Sequence, residues 1–343
     1  VLDGLDPLLA EGDVVADGGN SHYADTERRQ ARGKTWRFLG MGVSGGSEGA
    51  LKGPAIMPGG DAVAYARMQP VLEAIGARSK SGVCVAYCGA GSAGHFVKMV
   101  HNGIEYGDMQ LISETTTLME RGLGMSHRQA SDVFGAWNKG DLESFLIEIT
   151  ADVLRAEDTD KTPLVDKIID AAGQKGTGKW TVIAALDHGV AIPTIAAAVD
   201  ARNLSSQKAL RVRAEKELAP ERTKIEGVSI DDLADALYAA KLASYTQGFA
   251  LLRAASEAKG YGTDLSEVAR IWTGGCIIRA RFLDRVREAF AARPNELLLL
   301  APEMTKDVVK RVPALRRTVA GAARAGIAIP GLAASLTWFD TLT

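Results

Sequence analysis

Along the first 90 residues or so, short apolar runs alternate with glycine-rich turns. Asp13–Ala16 stops at Asp17-Gly18-Gly19-Asn20-Ser21, and Phe38–Val43 stops at Ser44-Gly45-Gly46. Pro54–Met57 ends at Pro58-Gly59-Gly60, and a helical stretch follows from Asp61 to about Gly76. Val83–Tyr87 reads as a further strand, closed by Cys88-Gly89-Ala90-Gly91. Strands that each end in a turn, with helical segments between them, predict a parallel α/β sheet. After Gly94 the apolar spacing is mainly helical to the end, with strings such as Leu233–Lys259 rich in Ala, Leu and Lys. The turns Gly122-Leu123-Gly124 and Gly260-Tyr261-Gly262 each follow a long predicted helix, a weak sign of an old duplication. The pattern therefore predicts an α/β domain over 1–93 followed by a large all-α domain over 94–343.

A dinucleotide fold opens with strand, G-x-G-x-x-G and helix, so that the pyrophosphate can approach the backbone at a helix N-terminus. No such unit precedes the first predicted strand. Gly89-Ala90-Gly91-Ser92-Ala93-Gly94 has the right letters between a strand and a helix, but no first βαβ unit surrounds it. The expectation for this loop is a close-packed domain junction. Val1 opens the chain on what reads as the end of a helix, which we read as truncation.

Composition narrows the classes. The 343 residues suffice for two domains with their own cores, 46% are hydrophobic, and the formal net charge is −2. That charge gives no electrostatic reason to expect nucleic acid or an anionic membrane as partner, so an anionic substrate needs a local cluster of cations. No stretch approaches the roughly 20 apolar residues of a membrane span, and no signal peptide is evident. The three cysteines, Cys84, Cys88 and Cys276, make a poor disulfide framework, and although Cys84 and Cys88 are four apart, no second Cys/His pair stands at zinc-ligand spacing. They read as small buried groups in a reducing, cytoplasmic protein, with no metal expected.

The segment most able to do chemistry is His95–Gln110. Lys98, His101, Asn102, Glu105 and Met109 stand at i, i+3, i+4, i+7 and i+11 and so share one helix face. Phe96, Val97, Met99, Val100 and Ile104 make the rest of the surface apolar, which implies burial. Polar groups buried there need compensation. A plain Lys98–Glu105 salt bridge is one reading; a general base and a general acid two turns apart over one substrate is the other. Gly103 and Gly107, each costing about 1 kcal/mol in a helix interior, imply that another helix or a ligand comes close beside Glu105.

Two further features bear on that choice. The turns at 17–21 and 43–46 offer backbone amides and short polar side chains at the carboxyl edge of the sheet, where open α/β folds bind ligands; ordinary tight turns are the alternative. Lys175-Gly176-Thr177-Gly178-Lys179-Trp180, with Arg202 downstream, is a glycine-rich loop with cations that can cradle a phosphate, although it is not a Walker A sequence.

Together the strings DGGNS (17–21), GVSGG-x-EGA (42–50), GP-x-x-MPGG (53–60), FVKMVHNGIEYGDMQ (96–110), KGTGKWT (175–181) and AR-x-x-SS (201–206) closely resemble the 6-phosphogluconate dehydrogenase family, from about residue 3 to about residue 340. The resemblance implies a partial Rossmann-like sheet domain and a helical domain for substrate binding and homodimerisation. It implies oxidative decarboxylation of 6-phosphogluconate to ribulose 5-phosphate and carbon dioxide with NADP, without a metal. Carried over where residues match, it makes Lys98 the general base and Glu105 the general acid. Asn20 would touch both nicotinamide and substrate. Ser44, Gly45, Gly46, His101, Asn102 and Tyr106 would line the sugar-acid pocket, and Lys175 and Arg202 would hold the 6-phosphate. The chain departs from the family at both ends, where the strand–GxGxxG–helix unit and a C-terminal tail are expected, and at Ser47, where an acidic residue is expected. The rival readings are another β-hydroxyacid dehydrogenase, such as one acting on 3-hydroxyisobutyrate, and a non-catalytic helical binding protein. Lys175 and Arg202 argue against the first, and Glu105 with the DGGNS turn against the second.

Overall fold

Three strands, β1 (Val14–Asp17), β2 (Arg37–Ser44) and β3 (Ala55–Gly60), form a sheet in that order in the computed structural model, which describes residues 1–32 and 35–343. Helix α1 (Leu2–Leu5) precedes the first strand, α2 (Tyr23–Ala31) and α3 (Gly46–Lys52) lie between strands, and α4 (Ala62–Ile75) follows the third. β1 and β2 are parallel, in the register Val14↔Arg37 to Asp17↔Gly40, with α2 in their crossover. β3 departs from the expected parallel arrangement: it runs antiparallel to β2, from Leu39↔Gly60 to Ser44↔Ala55. Only residues 45–54 join the two strands, too few for the dozen or more that a parallel crossover needs. β3 also continues through Pro58-Gly59-Gly60, where the sequence suggested a turn, and is buried throughout.

The strand expected at Val83–Tyr87 is mostly irregular. Gly82–Val83 (β5) pairs with Arg78–Ser79 (β4), and one parallel bridge joins Val85 to Ile56. Residues 84–89 nevertheless follow the free edge of β3, through Ile56 N–H to Cys84 O at 2.9 Å and Cys88 N–H to Pro58 O at 2.7 Å. The Arg270 guanidinium takes the carbonyls of Val83 and Val85, so a side chain satisfies groups that a regular neighbouring strand would otherwise pair.

Helix α5 (Ala93–Thr117) covers and extends the predicted His95–Gln110 segment. It is followed by α6 (His127–Trp137), α7 (Phe145–Arg155), α8 (Thr177–Asp187), α9 (Pro193–Ser205), α10 (Lys208–Leu218) and α11 (Ile230–Lys259). The last four helices are α12 (Leu265–Ile271), α13 (Phe282–Ala292), α14 (Pro302–Arg324) and α15 (Pro330–Leu342). The chain forms two compact units. One contains Val1–Asn102, Phe249–Arg279 and Leu283–Asn295; its core includes Leu39, Ile56, Met57, Phe96, Phe249 and Trp272. The other contains Gly103–Gly248, Ala280–Phe282 and Glu296–Thr343, all helical and irregular, with Ile104, Leu111, Phe134, Ile195 and Tyr245 in its core. Helix α5 starts in the first unit and continues in the second. Among the described residues no helix is long and apolar enough to cross a membrane.

Candidate active site

In the first unit, glycines bring α5 onto the sheet. A Cβ on Gly42 would stand 2.2 Å from the Lys98 Cβ, one on Gly59 2.3 Å from the Gly94 nitrogen, and one on Gly94 2.2 Å from the Gly40 oxygen. No real side chain tolerates such distances, so the glycines in β2 and β3 are what let the helix backbone lie directly on the strands. Lys98 is thereby fixed by its stem against Gly42 and is only 7% exposed.

The Lys98 Nζ donates to Asn102 Oδ1, one turn along the same face. The same Oδ1 lies 3.2 Å from His101 Nδ1, and His101 Nε2 lies 3.4 Å from Ser44 Oγ. Burial first, and the Lys98 charge second, hold the His101 imidazole well below its ordinary range, so the ring is neutral. Because Asn102 Oδ1 can only accept, Nδ1 carries the proton and Nε2 accepts from the Ser44 hydroxyl. Trp272 meets the ring edge-on at 5.4 Å. Lys98, His101, Asn102 and Ser44, each singled out from the sequence, are thus brought together. Gly45 (φ +141) and Gly46 (φ +56) follow Ser44; a Cβ on Gly45 would lie 2.7 Å from the Gly275 oxygen. The three cysteines are free and buried, as expected. Burial pushes the Cys276 thiol up to about 12 although the Lys98 charge pulls it down, which leaves it protonated.

Asn20 stands exposed in the turn at the carboxyl end of β1. Beneath it the Asp17 carboxylate accepts from Gly19 N–H at 3.0 Å, Ser21 Oγ at 2.7 Å and Arg29 at 2.8 Å. Burial opposes ionisation of Asp17, but these hydrogen bonds outweigh it and leave the carboxyl below its usual range. His95, 2% exposed, reaches the same turn: Nε2 lies 3.1 Å from the Asp17 carbonyl and Nδ1 2.6 Å from Thr26 Oγ1.

In the second unit, Tyr106 is buried, Glu105 partly buried, and both follow directly along α5. Arg202, on α9, stacks its guanidinium over the Tyr106 ring at 3.9 Å and reaches the Gly173 carbonyl. Gly178, in the glycine-rich loop, also packs against Tyr106: a Cβ there would stand 2.6 Å from the ring. Lys175 is exposed one residue before Gly176, whose φ of +98 starts α8. The two helix glycines that flank Glu105 are explained by helices: a Cβ on Gly103 would meet Thr181 of α8 at 2.6 Å, and one on Gly107 would meet Ser244 of α11 at 2.4 Å.

The residues fit one end of a dinucleotide. The exposed Asn20 and the side-chain-free Gly18 and Gly19 suit a flat amide-bearing ring at the strand end. The Gly89–Gly94 loop does not suit a pyrophosphate, because the spaces at its glycines are filled by protein: Tyr261 O lies 2.3 Å from a Cβ on Gly89, and Gly40 O 2.2 Å from one on Gly94. The loop is close-packed, as expected, but it lies within the first unit and not at a junction of units. Sequence reasoning missed His95, Trp272 and the pair Gly40 and Gly42. The alternation Gly40-x-Gly42 inside an apolar strand was a legible signal of close approach; His95 and Trp272 carried none.

Comparison with known proteins covers nearly the whole chain. Residues 94–343 match the family described as 6-phosphogluconate dehydrogenase, C-terminal domain, and residues 1–89 match the NAD binding domain of 6-phosphogluconate dehydrogenase. A protein of Synechococcus elongatus named "6-phosphogluconate dehydrogenase, decarboxylating" is 52% identical over 99% of this chain and 74% of its own length. One of the same name from Schizosaccharomyces pombe is 51% identical over 99% of this chain and 70% of its own. A solved structure of Plasmodium falciparum 6-phosphogluconate dehydrogenase, described in apo form and in complex with its cofactor NADP+ and with its substrate 6-phosphogluconate, superposes with a TM-score of 0.96. It is 44% identical and covers 100% of this chain and 75% of that one.

Proposed function

The chain belongs to the 6-phosphogluconate dehydrogenase family, and we propose on that premise that it oxidises and decarboxylates 6-phosphogluconate to ribulose 5-phosphate and carbon dioxide with NADP. The observation that carries this reading is the buried Lys98 amine, held by Asn102 on the helix that bears Glu105 seven residues on.

NADP, when bound, supplies the hydride acceptor, and Asn20 is the residue here that would meet its nicotinamide end. Lys98, in its neutral form, takes the proton from the C3 hydroxyl as C3 is oxidised. Now an ammonium, Lys98 donates to the keto oxygen while carbon dioxide leaves the β-keto acid and negative charge builds on that oxygen. Asn102, which accepts from both Lys98 and His101, keeps the amine aimed. Glu105 protonates the carbon that lost the carboxylate. Ser44, Gly45, Gly46, His101 and Tyr106 line the sugar acid, and Lys175 with the stacked Arg202 holds the 6-phosphate.

Residues 1–93 then form the remainder of the cofactor domain and 94–343 the substrate and dimerisation domain of a homodimer. The three free thiols favour a reducing compartment, the cytoplasm.

The test follows absorbance of reduced cofactor and release of carbon dioxide with 6-phosphogluconate. One of each per substrate consumed is expected. Oxidation without carbon dioxide would instead favour a simple β-hydroxyacid dehydrogenase.

A further inference from the structure

We propose that His95 is a positioning residue that ties the Asp17–Ser21 turn to the helix carrying Lys98, so that Asn20 and Lys98 keep a fixed relation during the reaction proposed above. His95 stands three residues before Lys98 on α5, hence one turn away. Its Nε2 faces the Asp17 carbonyl, which can only accept, so this nitrogen carries the proton and donates. Its Nδ1 therefore accepts from the Thr26 hydroxyl on α2, at 2.6 Å. One neutral ring thus bonds the end of β1 and the helix that follows it, from a third element. The ring lies against the bare backbone of Gly40, where a Cβ would stand 2.8 Å from its Nδ1. The turn's other ties come from the Asp17 carboxylate, to Gly19, Ser21 and Arg29. Those bonds shape the turn but do not reach α5. Among the described residues, the His95 bond to the Asp17 carbonyl connects this turn to the helix of the base.

The inference rests on the proposed reaction and makes a split prediction. His95→Leu should weaken binding of NADPH about three- to tenfold, the worth of one buried hydrogen bond, and lower kcat. The Kd of 6-phosphogluconate, anchored by Lys175 and Arg202, should stay within about twofold. His95→Gln, whose amide can still donate to Asp17, should recover most of the loss. Amide hydrogen exchange of the unliganded full chain gives a readout independent of turnover: residues 18–21 should exchange faster in His95→Leu, while α4 is unchanged. Should His95→Leu fail to fold, Thr26→Val, which removes the hydroxyl that donates to Nδ1, should show the same changes at smaller size. Parallel loss of both ligands with no rescue by Gln, or unchanged exchange at 18–21, would overturn the proposal. A wild-type chain that binds NADP and 6-phosphogluconate but forms no NADPH would instead overturn the reaction.

Discussion

At the scale of single residues, the strongest constraint is steric. Lys98 owes its position to the missing side chain at Gly42, where a methyl group would overlap its Cβ at 2.2 Å. Gly42→Ala should therefore push α5 off the strand, destabilise the protein by about 1–3 kcal/mol as overpacking does, and lower activity with it. A denaturant melt beside a rate measurement checks this; a fully active, unshifted variant would contradict the packing described. Arg202 is expected to act on binding alone. Arg202→Ala should raise KM for 6-phosphogluconate at least about tenfold, in line with a charge-assisted hydrogen bond, and far less for gluconate. Equal effects on both would remove the phosphate role. Much at this scale was legible beforehand, because a helix face can be read from spacing: Lys98 and His101 both meet Asn102, as their i, i+3, i+4 positions imply. The Ser44 contact, 57 residues away in sequence, was not available from any local period.

At the scale of elements, α5 was read correctly as a buried helix, and its glycines were read correctly as points of close approach, although spacing could not name Thr181 and Ser244 as what approaches. The strands were harder. β1 and β2 carry the expected parallel pairing, but the direction of β3 follows from linker length, and the segment at 83–87 gives its outer carbonyls to Arg270, a residue far along the chain. The start of α6 shows the same limit. His127 is held between Glu120 at its Nδ1 and Asp166, 2.9 Å from its Nε2. Partial burial lowers the His127 pKa, but the two carboxylate hydrogen bonds and their charges outweigh it, and the net shift is upward. A raised folded pKa stabilises fully below the unfolded value of about 6.5, and the contribution is lost as pH rises through the folded value. The difference in melting temperature between wild type and His127→Gln should therefore be larger at pH 5.5 than at pH 8.5. The same difference at both would contradict the clamp.

At the scale of the whole chain, a three-stranded sheet unit and a helical unit share one long helix, and the proposed base and acid lie on either side of the point where that helix passes from one unit to the next. The sequence announced the change of texture near residue 94, because period and composition switch there together. It could not announce that Phe249–Arg279 returns to the first unit, since that return depends on contacts such as Phe96 with Tyr261 and Met57 with Trp272. The chemical claim on which the account turns is that the Lys98 amine is the base. Lys98→Met keeps the stem that packs on Gly42 and removes only the amine. Measured on the full chain with 6-phosphogluconate and NADP, its kcat should fall at least about 100-fold, as loss of a positioned acid–base group does, while 6-phosphogluconate still binds. A variant that keeps more than about a tenth of the wild-type rate would contradict the account.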